Sequence, residues 1–186
     1  MLNKEYKLIV AVDANNYGIG KDNKLLWKVP ADLKQFKEKT LNNIVIMGRK
    51  TFDSLNRKPL KNRHNIVFSR HRITFYYEDD FRKLNYGSHI IDGKWEKALE
   101  FLLNSKYLNN VVKGFKDLDK WVIGGSEIYE LFSEYYDTAH ISLIRDTNKT
   151  IDDYDSFFNI NKIVRDKDVE VVINNFTIDG TVNICK

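Results

Sequence analysis

The sequence has 186 residues, of which 42% are hydrophobic, and a chain of this size can bury a core without disulfides or a structural metal. Its 30 basic and 26 acidic residues give a net charge of +4 that is spread along the chain, which indicates a mild preference for anionic ligands. The absence of a zinc-finger, KH or RNP motif argues against nucleic-acid binding. Cys185 is the only cysteine, so a disulfide framework is not expected, and a reducing cytoplasm fits best. No apolar stretch has the length of a signal peptide or a membrane span, and we expect no association with a membrane.

Short apolar segments rich in branched residues alternate with segments of helical spacing. The predicted strands are 8–12, 44–47, 66–68, 121–123 and 141–144, and the predicted helices are 31–41, 50–55, 94–103 and 127–136. This alternation is typical of an α/β domain with a central, mainly parallel sheet flanked by helices.

The C-terminal part of the chain has a different pattern. Residues 169–174 and 177–184 alternate between apolar and polar side chains around an Asp179-Gly180 turn signal, as an antiparallel hairpin would. We therefore predict a mixed sheet. No linker or repeat divides the chain, so residues 1–186 are expected to form a single domain, although the segment 73–119 carries no motif.

The first group of residues that suggests chemistry lies within 20–36. Pro30 is suited to open a helix, on which Asp32, Leu33 and Phe36 share one side. Asp32 is either an acid that stabilises the first helical turn or a carboxylate in a pocket that binds the N–H and amino groups of a flat heterocycle. Burial raises the pKa of such an acid and the helix dipole lowers it, and the sequence does not decide between them.

The second group lies where the strand 44–47 enters a helix through Gly48. Arg49, Lys50 and Thr51 add two positive charges and a hydroxyl to the free N–H groups of the helix start, which favours binding of a phosphate. The segment is neither a Walker A loop nor a GxGxxG motif. The alternative is a solvated basic helix start.

The third group lies where the strand 121–123 enters a helix through Gly124, Gly125 and Ser126. Paired glycines allow close approach of a ligand, and the helix start offers a second phosphate position. Two such junctions suit a dinucleotide, whereas a Gly-Gly pair alone is more often a tight turn.

Other catalytic motifs are absent from the sequence. His64, His71, His89 and His140 lack metal-ligand spacing, no GxSxG is present, and Cys185 has no base partner in its sequence context. Hydrolase, metalloenzyme and thiol mechanisms are therefore disfavoured, and no metal is expected.

Taken together, these segments resemble dihydrofolate reductases. The resemblance is carried by the run Leu-Trp-Lys-Val-Pro-Ala-Asp-Leu at 26–33, the run 45–51, the Ser69-Arg70 pair and the Ile123-Gly124-Gly125 turn, all in the order of the family. It is strong over 7–70 and 120–160. It implies NADPH-dependent reduction of 7,8-dihydrofolate to 5,6,7,8-tetrahydrofolate for one-carbon and thymidylate metabolism. We further expect a cytoplasmic monomer without a nucleic-acid or membrane partner.

The resemblance also implies roles for residues around the pterin. Asp32 would bind the pterin ring and assist protonation of N5, and Trp27 and Ser142 would support Asp32 through hydrogen bonds, partly by water. Arg63 would bind the glutamate carboxylate. The other residues expected to contact the substrate or the nicotinamide carboxamide are Ile9, Val10, Ala11, Leu33, Phe36, Leu55 and Ile123.

For the cofactor, the resemblance implies that Arg49, Ser69 and Arg70 contact the 2′-phosphate, which favours NADPH over NADH. A loop over 15–25 would close over the nicotinamide, and Gly124-Gly125 would carry a cis peptide. The remaining residues expected at the cofactor are Ala11, Ile19, Gly20, Gly48, Lys50, Thr51, Gly124, Gly125, Ser126, Glu127, Ile128 and Tyr129.

The chain departs from the family's usual pattern at several positions. Leu26 stands where proline is common, Ser142 where threonine is usual, Asn56 where glycine is common, and Lys61-Asn62 where Pro-Gly often precedes the arginine. Ser142 retains the hydroxyl, so the hydrogen-bond network around the acid is expected to persist.

Two alternatives share parts of this pattern. A reductase of riboflavin biosynthesis has the same fold and NADPH site but acts on a ribosylated pyrimidine, and it is not expected to place an acid directly after Pro-Ala. A non-catalytic binding module, such as a virion component, would have little reason to keep Trp27, Asp32, Arg63 and Arg70 together.

Overall fold

Nine strands form one mixed sheet in the computed structural model, which describes residues 5–25, 27–69, 72–76, 84–86, 99–100, 102–103, 108–109, 112, 114–163, 168–179 and 182–184. The strands of the described residues are β1 (Tyr6–Asp13), β2 (Gly18–Gly20), β3 (Ile44–Gly48), β4 (His64–Ser69), β5 (Arg72–Tyr76), β6 (Leu84–Tyr86), β7 (Lys120–Gly124), β8 (Tyr136–Asp146), β9 (Ser156–Phe157), β10 (Glu170–Asp179) and β11 (Val182–Ile184). The sheet order is β11-β10-β8-β1-β7-β3-β4-β5-β6, and β2 pairs with β9 in a separate ribbon.

Parallel pairing dominates the sheet. Strands β10, β8, β1, β7, β3 and β4 run parallel, while β11, β5 and β6 are antiparallel additions at the two edges. This arrangement confirms the predicted mixed, mainly parallel sheet and the antiparallel C-terminal hairpin.

The helices begin where the sequence places its start signals. Helix α1 (Pro30–Thr40) has proline in its first turn, and its ends carry Asp32 and Lys37 with Lys39, which complement the helix dipole. The other described helices are α2 (Arg49–Ser54), α3 (Ser126–Leu131), α4 (Ile160–Ile163) and a 3₁₀ turn at Ile151–Asp153. Within the predicted helix 94–103, residues 99–100 and 102–103 are helical, and 94–98 lie outside the described residues.

Apolar side chains cover both faces of the sheet. Tyr6, Leu8 and Val10 of β1 belong to the larger core, whereas Ile9, between them, packs in a second core with Trp121. The same alternation occurs along β3, where all five residues are buried. Strands buried on both faces have continuous apolar sequences, which is why these segments could be recognised.

Two predicted boundaries are wrong. The helix predicted over 127–136 ends at Leu131. Phe132 and Tyr136 both lie in the core, and the chain turns between them, with the Tyr135 N–H donating to the Phe132 carbonyl at 2.9 Å. The segments 169–174 and 177–184 are not the two strands of the hairpin. Strand β10 continues through Glu170–Asp179, because it pairs along the length of β8, and only Val182–Ile184 returns against it.

Two departures from the family pattern have a simple conformational explanation. Asn56 and Asn62 stand where glycine is common, and both adopt left-handed backbone conformations, with φ of 55° and 58°. Asparagine tolerates this region better than most residues. Asn56 also lies one residue past the C-cap of α2, the position at which helices commonly end with a left-handed glycine or asparagine.

Replacement of Asn56 tests this explanation. We expect Asn56→Ala to lower the free energy of unfolding by about 1 kcal/mol because alanine is strained in the left-handed region. Asn56→Gly should stay within about 0.5 kcal/mol of wild type, since the exposed side chain makes little packing contact. Urea denaturation measures both, and an equal loss in the two variants would contradict the conformational reason.

Candidate active site

A cleft of about 790 Å³ lies between α1 and the ends of the parallel strands. Its wall includes Gly48, Ser69 and Gly124, which are at or next to the carboxyl ends of β3, β4 and β7. In open α/β sheets, ligands bind outside these strand ends. The cleft therefore occupies the place in the fold where a bound ligand is expected.

Most of the side chains predicted for the site line this cleft. The predicted substrate contacts that line it are Ile9, Val10, Ala11, Leu33, Phe36, Leu55, Arg63 and Ile123, together with Asp32. The predicted cofactor contacts that line it are Ala11, Ile19, Gly20, Gly48, Arg49, Lys50, Thr51, Ser69, Gly124, Gly125, Ser126, Glu127, Ile128 and Tyr129. Arg70 lies outside the described residues, and Trp27 and Ser142 are buried behind the cleft wall.

Asp32 is the acid that α1 contributes to the cleft. It lies in the first turn of α1, half-buried, and the hydroxyl of buried Ser142 on β8 donates a hydrogen bond to its carboxylate. Burial raises the pKa of Asp32 above its ordinary value, and the bond from Ser142 acts in the opposite direction. The sequence left open whether the pKa of Asp32 is raised or lowered, and in the structure the effect of burial dominates and raises it.

Tyr129 supports the floor of the cleft beside Asp32. Its hydroxyl donates to the Ile9 carbonyl at 3.0 Å, and its pKa is raised first by burial and then by the negative charge of Asp32. A Cβ added to Gly124, which has φ of 111°, would lie 3.0 Å from the Tyr129 hydroxyl. Glycine is thus required at this turn both by backbone conformation and by the ring beneath it.

Trp27 packs behind the cleft. Its ring centroid lies 5.8 Å from that of Tyr154, in a buried cluster with Val29 and Ile144. The indole Nε1 is buried and has no acceptor among the described residues. Buried N–H groups are nearly always paired, so this donor is suited to a water or a ligand atom.

Arg63 is held in a fixed orientation at another part of the cleft. The side chain is 8% exposed, its Nε donates to Thr40 Oγ1 at 2.8 Å, and one terminal nitrogen donates to the Lys61 carbonyl at 2.8 Å. The guanidinium carbon also lies 5.8 Å from the centre of the Phe36 ring. A guanidinium positioned in this way can bind a carboxylate with little loss of side-chain entropy.

Two strand-to-helix junctions meet across the cleft. Gly48 leads into α2, and the cis-linked pair Gly124-Gly125 leads into α3, as the resemblance implies. The junctions are close together, since a Cβ on Gly125 would lie 3.6 Å from Thr51 Oγ1. Their N–H groups, hydroxyls and the charge of Lys50 form a donor set suited to phosphate oxygens.

Arg49 projects from the same junction toward solvent. Its side chain is 56% exposed and donates to Asp53 Oδ2 at 2.7 Å, and Arg57 donates to the other oxygen of that carboxylate at 2.7 Å. Such an exposed pair is weak and can exchange partners when an anion binds.

A loop over residues 14–25 forms one side of the cleft. At its base, buried Asp13 accepts hydrogen bonds from the Asn15 N–H at 2.8 Å, the Asn16 N–H at 3.1 Å and the Tyr154 hydroxyl at 2.8 Å. At its tip, β2 pairs with β9, and Asp155 accepts from the Asp22 N–H at 2.8 Å. The loop is thus fastened to the segment that follows β8.

Several residues of the cleft were not among the predicted site residues. They are Asn23, Lys24, Leu25, Lys37, Ser54, Leu60, Phe68, Asp155, Ser156 and Phe157. The first three lie within the predicted closing loop, and Lys37 and Ser54 lie on helices that were predicted. Asp155, Ser156 and Phe157 had no sequence signal, because they reach the cleft only through the pairing of β9 with β2.

The described residues also bear on metals and membranes. No three His, Cys, Asp or Glu side chains among them are grouped so that they could hold a metal ion. No helix in the described part of the chain is long and apolar enough to cross a bilayer.

Comparison with known proteins matches the sequence to a family. Residues 5–168 match the family model described as "Dihydrofolate reductase". The chain is 34% identical to a dihydrofolate reductase of Ureaplasma parvum, covering 70% of each protein, and 35% identical to that of Haemophilus influenzae, covering 82% of this chain and 78% of the relative. It is 36% identical to a bifunctional dihydrofolate reductase-thymidylate synthase of Daucus carota, of which it spans 26%. On the extent of the family match and these identities, the chain belongs to the dihydrofolate reductase family.

Proposed function

We propose that the protein reduces 7,8-dihydrofolate to 5,6,7,8-tetrahydrofolate with NADPH as the donor. The observation that carries the proposal is a half-buried acid of raised pKa, Asp32, in a cleft that also holds an oriented guanidinium, Arg63, and a two-junction phosphate donor set. Family membership supports the reaction class. The three features match the pterin and the glutamate carboxylate of the substrate and the phosphates of the cofactor.

The substrate would bind between Asp32 and Arg63, which both line the cleft. The carboxylate of Asp32 would accept two parallel hydrogen bonds from the pterin, and Arg63 would bind the carboxylate of the glutamate. Leu33, Phe36 and Leu55, which line the wall of the cleft, offer apolar contact to the rings between them. The pterin would thereby donate to a carboxylate and the glutamate would meet a positive charge, while the rings between them meet apolar surface.

The cofactor fits the other half of the cleft. Lys50, Thr51 and the N–H groups following Gly125 would hold the pyrophosphate, and Arg49 with Ser69 would contact a 2′-phosphate. Arg70, which lies outside the described residues, is proposed to join them. The extra anion of NADPH is the reason to favour it over NADH.

When bound, NADPH supplies a hydride to the pterin carbon next to N5. The protein's task is to orient the ring and to place a proton on N5, so that one hydride and one proton are consumed for each dihydrofolate. Asp32 keeps the pterin fixed and favours the protonated ring, since a buried carboxylate stabilises a nearby positive charge. Ser142 orients Asp32 through its hydrogen bond, Trp27 would support it through a bridging water, and the loop over 14–25 would limit access of water.

The alternatives are less consistent with this cleft. A reductase acting on a ribosylated pyrimidine has no need for an acid at Asp32 together with a buried arginine at Arg63. A binding module has no need for an acid of raised pKa. Absence of NADPH oxidation by the folded protein would favour one of these two alternatives.

We further propose that the protein acts as a cytoplasmic monomer without nucleic-acid partners, and a stable larger species in gel filtration would contradict the monomer.

Replacement of Asp32 tests whether this residue is a catalytic acid or an acid that only stabilises the helix. We expect Asp32→Asn to lower the rate of NADPH oxidation with dihydrofolate by roughly a hundredfold or more. The same variant should melt at a higher temperature at neutral pH, because the ionised carboxylate is penalised in the folded state at any pH above its raised pKa. The difference in melting temperature should shrink as the pH falls through the raised pKa and vanish below 3.8, the ordinary pKa, where the carboxyl is neutral in both states.

Glu38→Gln on the same helix is the matched control. Glu38 is exposed and lies 3.9 Å from Lys34, so its replacement should change neither the rate nor the melting temperature appreciably. If Asp32 only stabilised the first turn of α1, Asp32→Asn would melt at a lower temperature and retain its rate.

Ser142 is expected to set the pH dependence through Asp32. Because its hydroxyl lowers the pKa of Asp32, Ser142→Ala should raise that pKa further and move the pH–rate profile to higher pH. Ser142→Thr keeps a hydroxyl and should leave the profile in place. An unshifted profile in Ser142→Ala would show that the hydrogen bond does not influence the titrating group.

Cofactor preference is tested at Arg49. We expect Arg49→Gln to reduce kcat/KM for NADPH by roughly tenfold and to leave the value for NADH nearly unchanged, because one charge-assisted contact to the 2′-phosphate is lost. Arg57→Gln is the control, since Arg57 shares the Asp53 carboxylate with Arg49 but does not line the cleft. Equal losses of kcat/KM with NADPH and NADH would show that Arg49 does not contact the 2′-phosphate.

A further inference from the structure

Strand β10 places a polar side chain next to the residue that donates a hydrogen bond to Asp32. In the register of the sheet, Asn174 of β10 is the direct partner of Ser142 on β8, and Ala11 of β1 is the partner of Ser142 on its other side. Directly paired residues of neighbouring strands project from the same face of a sheet, about 5 Å apart. Asn174 and Ser142 therefore lie side by side on the face of the sheet that meets Asp32 of α1.

The burial of β10 agrees with this register. Ile173 and Asn175 are exposed, whereas Asn174 and Phe176 are partly buried. Phe176 packs against the buried cluster that contains Trp27, behind the wall of the cleft. The Asn174 side chain thus belongs to the side of the sheet that carries the cleft, and the Asn175 side chain belongs to the opposite side.

The amide of Asn174 carries a buried donor that is not satisfied. Its Nδ2 is buried and has no hydrogen-bond partner among the described residues. Buried polar atoms are nearly always paired, either directly or through an ordered water. An apolar side chain at this position would avoid the cost of the unpaired donor. An asparagine here is therefore best explained by a polar neighbour, and the hydroxyl of Ser142 is directly beside it.

The hydroxyl of Ser142 has room for such a donor. A serine hydroxyl donates one hydrogen bond and accepts through two lone pairs. Ser142 uses its proton for the carboxylate of Asp32, so its oxygen can still accept. A donor to that oxygen restricts rotation of the hydroxyl and polarises it, which strengthens the bond that it donates in turn.

We propose that Asn174 is a positioning residue, whose amide N–H donates through a buried water to the Ser142 oxygen and thereby holds the hydroxyl toward Asp32. This inference rests on the proposed function, because it adds a residue to the hydrogen-bond chain of the proposed catalytic acid. The chain runs from β10 through β8 to α1. Asn174 acts on Asp32 only through Ser142, and this dependence separates its role from a general effect on packing.

The test titrates Asp32 directly by carbon-13 NMR of its carboxyl group in the unliganded protein, in wild type, Asn174→Leu, Ser142→Ala and the double variant. We expect Asn174→Leu to raise the pKa of Asp32 in the same direction as Ser142→Ala but by less, because the bond that lowers this pKa is weakened but not removed. In the double variant the pKa should equal that of Ser142→Ala alone, since no hydroxyl is left to orient. The pH–rate profile of Asn174→Leu should move to higher pH, with KM for dihydrofolate within about twofold of wild type.

Other ionisable groups act on Asp32 equally in all of these variants. Lys37, Arg63 and Tyr129 line the same cleft, and His140 lies on the same face of β8 as the serine. None of them is replaced, so a difference between variants reports the change at the asparagine or the serine.

Asn175→Leu is the matched control, because it makes the same replacement at the next residue of β10, where the side chain is exposed. It should leave the titration of Asp32 unchanged. If Asn174→Leu does not fold, Asn174→Val is read in the same way.

Two results would overturn the positioning role. One is an unchanged pKa of Asp32 in Asn174→Leu. The other is a rise of equal size with and without the Ser142 hydroxyl, which would mean that the leucine only removes water from the carboxylate. Because the titration needs no turnover, failure of the folded wild type to oxidise NADPH would overturn the proposed function separately.

Discussion

The parallel alignment of the central strands is the constraint on which the rest of the structure depends. Because β1, β7, β3 and β4 run in one direction, their carboxyl ends lie at one edge of the sheet, and the chain leaves that edge through the two junctions at Gly48 and Gly124-Gly125. Parallel strands require coverage on both faces. Helix α1 provides part of that coverage, and in doing so it places Asp32 against the polar side chain of Ser142 on β8.

The cleft therefore combines two demands that oppose each other. Covering the sheet requires α1 to bury its inward-facing side chains, and one of these is a carboxylate whose ionised form is disfavoured by burial. Ser142 offsets part of the penalty with one hydrogen bond. An energetic penalty of this kind is expected where activity and stability compete, since a site arranged for chemistry is seldom the most stable arrangement of the same residues.

The sequence was informative where local chemistry determines structure. Pro30 marked the start of α1, and the continuous apolar runs at 44–47 and 121–123 identified strands that are buried on both faces. It could not identify β2 and β9, which have three and two residues and no hydrophobic periodicity. Asp155 joins the cleft only through tertiary pairing, and the pKa direction of Asp32 depends on how deeply α1 packs, so neither could be obtained from local patterns.

The fastening of the loop over 14–25 has a consequence for local stability. At its base the N–H groups of Asn15 and Asn16 donate to the buried carboxylate of Asp13, whereas its tip is held by the short β2–β9 pairing and by the exposed bond from the Asp22 N–H to Asp155. Exposed bonds of this kind open at a lower free energy than those of a buried strand, so we expect the tip to open before the base and β1 do. Opening of the cleft at this tip would then be a local event, with a free energy separate from that of global unfolding, and the sheet that positions the cleft residues would stay folded.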